Sequence, residues 1–314
     1  MGVTALKKPR PLQHGARLAV ISPASAPKPE IVEAGLAALR QWGYEPVLFP
    51  HAMDRGPIYY AGRIEDRVAD IHAAFADKTI DGVIATRGGW GTAELLPYLD
   101  ALLIRENAKP YIGYSDHSSL HVWFENEAGM VTFYAPMVAS DFARADGVDE
   151  RSWRACLEGG ALSFTKADGL RVLRPGRAEG RVRGGCISIL AESLGTPYAM
   201  RVDDGILFIE DVGTKPYQWD RMLNHMKLAG LLADVSGVVF GDMEQCVSDA
   251  AEAEQLEHAV LHALRDFDGP VAMGLRCGHV HGANLSLPLG VRAELDLTDA
   301  GNPQMHFVES GVAG

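Results

Sequence analysis

Three short stretches carry residue types that could do chemistry together. In Tyr111-Ile-Gly-Tyr-Ser-Asp-His117 a single serine, Ser115, sits between a short apolar run and a segment that reads as a helix start. A serine at a tight strand-to-helix turn can expose Oγ as a nucleophile, with the next backbone N–H helping to hold an oxyanion. The competing reading is a cap, in which Ser115 or Asp116 bonds the first amides of the helix. The G-x-S-x-G form of such a turn is half matched, since His117 stands where the second glycine would be. A serine nucleophile needs a base, and the base an orienting partner. Cys277-Gly-His279-Val-His281 offers two candidate bases, and Glu210-Asp211 offers the partner acid. The plainer readings are a loop histidine and a solvated strand-end acid. Cys277, His279 and His281 also admit a zinc reading, but no second cluster completes four ligands, so no metal is expected.

Arg87-Gly-Gly-Trp-Gly91 is the third stretch. Glycines there can turn backbone N–H groups toward an oxyanion or a carboxylate. Arg87 could clamp a carboxylate through two parallel bonds, or it could serve a structural ion pair. The G-x-G-x-x-G and Walker fingerprints are both missing, so a dinucleotide or P-loop site is not expected.

Positioning these residues falls to strands that alternate with helices. Apolar runs at 17–22, 45–49, 81–86 and 110–113 predict strands, and residues 29–42 and 65–75 show helical spacing, the first ending at Gly43. This alternation predicts βαβ units and a mostly parallel sheet, whose ligands sit at the carboxyl ends of strands. Arg87 and Ser115 both fall there. After residue 136 the pattern loosens, and 141–180 reads as a crossing segment. The second half predicts a helix within 184–195, closed by Gly195, and strands at 205–209 and 235–240. It also predicts helices at 218–229 and 252–265 and a last apolar strand at 270–275. The expected fold is α/β with two domains, 1–165 and 166–314. The first would be a Rossmann-like or flavodoxin-like parallel sheet, the second a further α/β domain, with the site between them.

Composition narrows the class. The chain has 314 residues, 47% hydrophobic and 22% charged, enough for one large or two moderate cores. A formal net charge of −12 argues against nonspecific nucleic-acid binding and against anionic membrane surfaces. The apolar run Leu18–Ile21 is too short for a secretory core or a membrane span. Four scattered cysteines do not form a disulfide framework, so a cytoplasmic setting is expected.

Taken in order, the motifs resemble the serine-type LD-carboxypeptidase family, which includes muropeptide LD-carboxypeptidases and microcin C immunity peptidases. The first half carries the resemblance in Tyr60-Ala-Gly-Arg63, Asp66-Arg67, Arg87–Gly91, Leu95–Asp100 and Ile112–Asp116. The second half carries it in Gly184-Gly185, Leu194–Thr196, Phe208–Asp211 with Tyr217, Arg221–Leu223, Ala229-Gly230, Gly278-His279 and Leu287–Gly290. The resemblance implies a Ser–Glu–His triad: Ser115 as nucleophile, Glu210 as orienting acid and His279 as base. It implies an oxyanion hole from the backbone N–H of Asp116 with that of Gly88 or Gly89. It also implies no cofactor, a homodimer, and a small peptide or muropeptide substrate.

Several positions depart from the family pattern. Residues 134–137 read Tyr-Ala-Pro-Met where many members have His-Gly-Pro-Met, and Asp116–Ser119 alters the helix start. The loop from His279 to Pro288 is one residue longer than the family pattern implies, and His281 follows His279 closely. The muropeptide branch implies release of a terminal D-amino acid from a cell-wall tetrapeptide, with Arg87 on the free carboxylate. The immunity branch implies cleavage of a peptidyl or aminoacyl nucleotide, with Trp90 or Trp219 stacking on the base. A two-lobed binding protein without catalysis is the reading from another class.

Overall fold

The computed structural model describes residues 5–202 and 205–314. It is a mixed α/β protein with two sheets, and its contacts divide it into two compact units. One comprises residues 1–161, 282–290 and 310–314; the other comprises 162–281 and 291–309.

The first unit is built on five parallel strands: β1 (Arg17–Ile21), β2 (Glu45–Leu48), β3 (Gly82–Ala85), β4 (Tyr111–Gly113) and β5 (Thr132–Tyr134). Their spatial order is β5-β4-β3-β1-β2, and a late strand, Leu287–Leu289, pairs antiparallel with β5 at the edge. The central strand β3 is buried along its whole length, as a strand covered on both faces must be. Helix α1 (Pro29–Gln41) buries Val32, Gly35, Leu36 and Leu39, one face at helical spacing. Gly43 follows with φ +89°, the left-handed turn that ends such a helix at low cost. Helices α2 (Ile64–Ala76), α3 (Ala101–Glu106), α4 (Ser118–Trp123) and α5 (Glu150–Arg154) complete this unit.

In the second unit the strands are β6 (Ser163–Thr165), β7 (Arg171–Arg174), β8 (Arg177–Cys186), β9 (Gly205–Glu210), β10 (Val235–Gly241) and β11 (Val271–Leu275). With the edge strand 287–289 counted as β12, β13 (Arg292–Asp296) and β14 (Gln304–Phe307) finish the sheet. Its order is β6-β14-β13-β8-β9-β10-β11-β7. The four central strands β8 to β11 run parallel, and the flanking ones antiparallel. Helices α6 (Ile187–Ser193), α7 (Pro216–Leu228) and α8 (Ala250–Ala263) belong to this unit.

Three sequence expectations are corrected. Residues 141–180 do contain the passage from one unit to the other, after residue 161, but they also hold α5, β6, β7 and the start of β8. Gly184 and Gly185 lie in β8, not in a helix; a Cβ on Gly184 would come within 1.6 Å of the Phe208 carbonyl oxygen. There the neighbouring strand's backbone leaves no room for a side chain, a need that sequence periodicity does not display. Finally, β11 is not the last strand, because three short ones follow it.

Candidate active site

Ser115 stands at the carboxyl end of β4 with φ +67°, one of four non-glycine residues in the left-handed region among those described. That conformation costs an ordinary side chain on the order of 1–2 kcal/mol and persists only where surroundings enforce it. The enforcement is visible. The Ser115 N–H donates to the Tyr134 hydroxyl at the end of β5 (3.0 Å). Its carbonyl accepts from Ser118 Oγ (2.7 Å), at the first turn of α4. Neither Ser115 nor Asp116 serves as the helix cap that the sequence also allowed, for the cap positions Tyr114 and His117 make no side-chain cap bond. The Asp116 carboxylate instead accepts the Thr92 N–H (2.9 Å), and the Asp116 carbonyl accepts from Thr92 Oγ1 (2.6 Å).

The glycine loop after β3 packs directly on this turn. A Cβ on Gly88 would lie 2.8 Å from Ser115 Cβ and 3.0 Å from its Oγ, so only glycine fits beside the serine. Gly89, at φ +116°, abuts Ser25, whose Oγ accepts the Trp90 N–H (3.1 Å). Buried Arg67 braces the loop from beneath, donating to the carbonyls of Pro23 and Gly91 (2.9 Å each) and pairing with Glu94 (2.9 Å). His117 ties the two stretches together. It contacts the Arg87 carbonyl through Nε2 (2.9 Å) and the Tyr111 hydroxyl through Nδ1 (2.8 Å). A carbonyl only accepts, so Nε2 carries the hydrogen and Nδ1 receives the tyrosine O–H. Burial pushes the His117 pKa down to about 4, so this relay is neutral at ordinary pH.

In the second unit Glu210 ends β9, wholly buried. Its Oε2 accepts the His279 backbone N–H (2.9 Å) and the His279 Nδ1–H (2.8 Å). An ionised carboxylate only accepts, so the imidazole proton sits on Nδ1 and the Nε2 lone pair is the basic one. Glycines shape the carboxylate's seat: a Cβ on Gly278 would lie 2.4 Å from Glu210 Cδ, and one on Gly241 2.5 Å from Glu210 Cβ. Asp211 turns elsewhere, accepting the N–H groups of Val212 (2.8 Å) and Ser188 (3.3 Å). Its pKa is raised by burial first and by the Glu210 charge second.

The other sequence candidates separate cleanly. His281 is 79% exposed in its side chain and faces Glu244 (3.2 Å), so its surroundings differ from those of His279. Cys277 is fully buried, and all four cysteines carry free thiols. Trp219 has no exposed surface and packs on Phe240 (5.8 Å between ring centres), which corrects its reading as a base-stacking platform. Trp90 is half-buried. The Arg87 side chain is also half-buried and forms no ion pair among the described residues. No helix among the described residues is long and apolar enough to cross a membrane.

Comparison with known proteins shows the family of the chain. Residues 18–135 match the LD-carboxypeptidase N-terminal domain, and residues 179–295 match the LD-carboxypeptidase C-terminal domain. The chain belongs to the LD-carboxypeptidase family. It is an enzyme of this type, which sets the noncatalytic binding reading aside. One family relative is a Bacillus subtilis (strain 168) protein named "Probable murein peptide carboxypeptidase". It is 32% identical over 317 residues, covering 99% of this chain and 98% of its own. A Streptomyces coelicolor protein carrying a carboxypeptidase name is 38% identical over 296 residues, 93% of this chain and 94% of its own. The microcin C7 self-immunity protein of Escherichia coli is 28% identical over 76% of this chain and 77% of its own. Among solved structures, muramoyltetrapeptide carboxypeptidase from Oxalobacter formigenes has a TM-score of 0.82 at 27% identity, covering 94% of this chain and 99% of its own. The microcin C7 self-immunity protein in complex with aspartyl sulfamoyl adenosine has a TM-score of 0.85 at 25% identity, covering 98% and 100%.

For this LD-carboxypeptidase-family chain, sequence reasoning gave no supporting role to the residues that brace the serine turn and the glycine loop. Tyr134, His117, Thr92 and Arg67 hold the serine turn and the glycine loop. Arg67 lay within a motif already singled out, and Tyr134 at the end of a short apolar run. Polar residues at successive parallel-strand ends were the available signal.

Proposed function

We propose that the enzyme is a serine peptidase that hydrolyses the amide joining a terminal D-amino acid to an L-centre in murein tetrapeptides, during cell-wall recycling in the cytoplasm. The reading joins the Ser115 turn on an N-terminal domain to the Glu210–His279 pair on a C-terminal one. The observation that carries it is the left-handed φ of +67° at Ser115, with Gly88 packed against the side chain. Backbone strain of this kind is retained where a side chain must be presented.

Ser115 Oγ attacks the amide carbonyl carbon while His279 Nε2 takes the hydroxyl proton. Glu210 keeps the imidazole in the Nδ1–H tautomer and stabilises the imidazolium that forms. The carbonyl oxygen, now negative, is held by the N–H of Asp116 with that of Gly88 or Gly89, donors that gain most in the transition state. Tyr134 already accepts the Ser115 N–H, so that amide is not counted among the donors. His279 then protonates the leaving amine, the C–N bond breaks, and an acyl ester remains on Ser115. Water, deprotonated by the same imidazole, cleaves the ester and restores the serine. Arg87 binds the free terminal carboxylate, Trp90 lines the substrate, and the enzyme works without metal or organic cofactor, as a homodimer.

A second reading is a self-immunity peptidase that cleaves peptidyl or aminoacyl nucleotides. The likeness to the microcin C7 self-immunity protein supports it, one such structure holding aspartyl sulfamoyl adenosine. Assaying both substrate classes separates the two. For either, Ser115→Ala should lower kcat at least about a thousandfold with the fold intact by circular dichroism. Near-normal turnover in that variant removes the proposal.

A further inference from the structure

One cavity of the first unit, about 400 Å³, lies against the glycine loop of the proposed site. Its walls come from the loop after β1, the Arg55–Tyr60 loop and the residue before Gly88. Three of its lining side chains are cations, Lys28, Arg55 and Arg87, and no acid lines it. In a chain of net charge −12 such a grouping runs against composition. None of the three forms an ion pair among the described residues. Like charges gathered without counter-ions repel one another, and an anionic ligand relieves that repulsion.

The rest of the cavity is built rather than incidental. Tyr60 is held under the Arg67 guanidinium, 5.0 Å from carbon Cζ to the ring centre, and Arg67 is itself pinned by Glu94. Tyr59 stacks at a tilt on Tyr60, ring centres 4.8 Å apart. Ile58 stands at the rim with φ +64° and 81% of its surface exposed. A β-branched residue in the left-handed region is a rare outlier, costly to hold in place. Spending that strain to display an apolar side chain at a cationic rim suits a residue that closes over a bound molecule.

Arg87 and Gly88 are consecutive, and Gly88 touches Ser115. The arginine that lines the cavity is therefore the chain neighbour of the glycine packed against the proposed nucleophile. We infer that this cavity is the subsite for a carboxylate of the peptide substrate, gripped by Lys28 and Arg55 together with Arg87 and covered by Ile58 and Tyr59. The inference rests on the peptidase reading for its substrate class and extends it from one arginine to a three-cation cradle. The carboxylate could be the terminal one or one on a side chain of the peptide, and the two are separable.

The test uses three synthetic tetrapeptides ending in D-Ala: the free acid, its C-terminal amide, and the free acid with its diaminopimelate side-chain carboxylate amidated. For the wild type, kcat/KM should be at least tenfold higher for the free acid than for one of the two amides, and that amide identifies the carboxylate. In Lys28→Ala/Arg55→Gln that ratio should collapse toward one, through KM rather than kcat. An undiminished ratio in the double variant overturns the subsite while leaving the peptidase reading in place. Direct titration of Ser115→Ala protein with the free-acid peptide gives a readout independent of turnover. The dissociation constant should rise at least tenfold when Lys28→Ala and Arg55→Gln are added. If the wild type cleaves none of the peptides yet this shift is seen, the peptidase reading falls and the carboxylate subsite stands. If inorganic phosphate displaces the peptide at lower concentration than acetate and D-alanine do by more than a hundredfold, the carboxylate assignment is overturned. Should the double variant fail to fold, Arg55→Gln alone is read by the same ratio, because Arg55 is exposed and anchors no core.

Discussion

One hydroxyl takes up the backbone amide of the proposed nucleophile. Tyr134 Oη accepts the N–H of Ser115, whose φ of +67° leaves that amide out of any strand or helix ladder. The ring is fully buried, packed on Tyr114 (6.0 Å) and His121 (5.7 Å), so its position is fixed by neighbours rather than by the bond itself. Tyr134→Phe keeps the packing and removes the acceptor. Leaving a partly buried N–H without its partner costs about 1–3 kcal/mol, and here the loss falls on the residue already under strain. The expected result is a kcat lower by about tenfold, KM within about threefold of wild type, and a melting temperature lower by a few degrees. Steady-state kinetics with thermal denaturation check it. An unchanged kcat would show that packing alone holds the serine.

At the scale of elements, every candidate residue lies at or just beyond the carboxyl end of a parallel strand. Arg87 and Gly88 follow β3, Ser115 follows β4, Tyr134 ends β5, Glu210 ends β9 and His279 follows β11. This is where sequence was informative: short apolar runs such as Gly82–Ala85 and Gly205–Glu210 are buried on both faces and read as strands without tertiary knowledge. It failed where conformation depends on distant backbone. Gly184 and Gly185 sit in β8 at φ +141° and +146°, and a Cβ on Gly184 would run into the Phe208 backbone, a constraint that no local periodicity encodes. The strands β12 to β14 are three to five residues each, too short for a period-2 pattern to stand out, and their partners lie far away in sequence. The histidine ambiguity had a similar cause, since only the fold reveals that His279 meets a buried carboxylate and His281 an exposed setting. The β3 loop supports a sharp prediction. Gly88 needs no unusual φ, so Gly88→Ala leaves the backbone free to form, but its Cβ would press within 2.8 Å of Ser115 Cβ. Turnover should fall more than a hundredfold with a melting temperature within about five degrees of wild type. Retention of a tenth or more of wild-type kcat would mean the serine turn yields easily and is not a rigid mount.

For the molecule as a whole, pH tests how the helix that follows the serine turn is locked into its unit. His121, on α4, is completely buried between Thr132 Oγ1 at Nδ1 (2.8 Å) and the Gly113 carbonyl at Nε2 (2.9 Å). Burial, reinforced by the nearby His117 and opposed by the Gly113 bond, pushes its pKa down to about 3. In the unfolded chain a histidine titrates near 6.5. Between about pH 6.5 and 3 the unfolded state therefore binds a proton that the folded state refuses, and stability falls as pH falls. Buried carboxylates act in the opposite sense: burial raises Asp70 and Asp141 to about 6, so the folded state takes up their protons first and gains from acidification between about 6 and 4. The wild-type profile sums these opposing contributions, and a difference between two proteins isolates one. His121→Gln keeps an N–H donor for the Gly113 carbonyl and removes the titration. The variant should be the less stable protein at pH 7. Below pH 6.5 the wild type should lose ground relative to it, by up to about tenfold in the unfolding equilibrium constant per pH unit. Urea unfolding of both proteins at pH 7.0, 6.0, 5.0 and 4.5 measures the gap directly. A gap that stays constant across that range would mean His121 is protonated in the folded state, with a hydrogen-bond acceptor at Nδ1 in place of the threonine O–H.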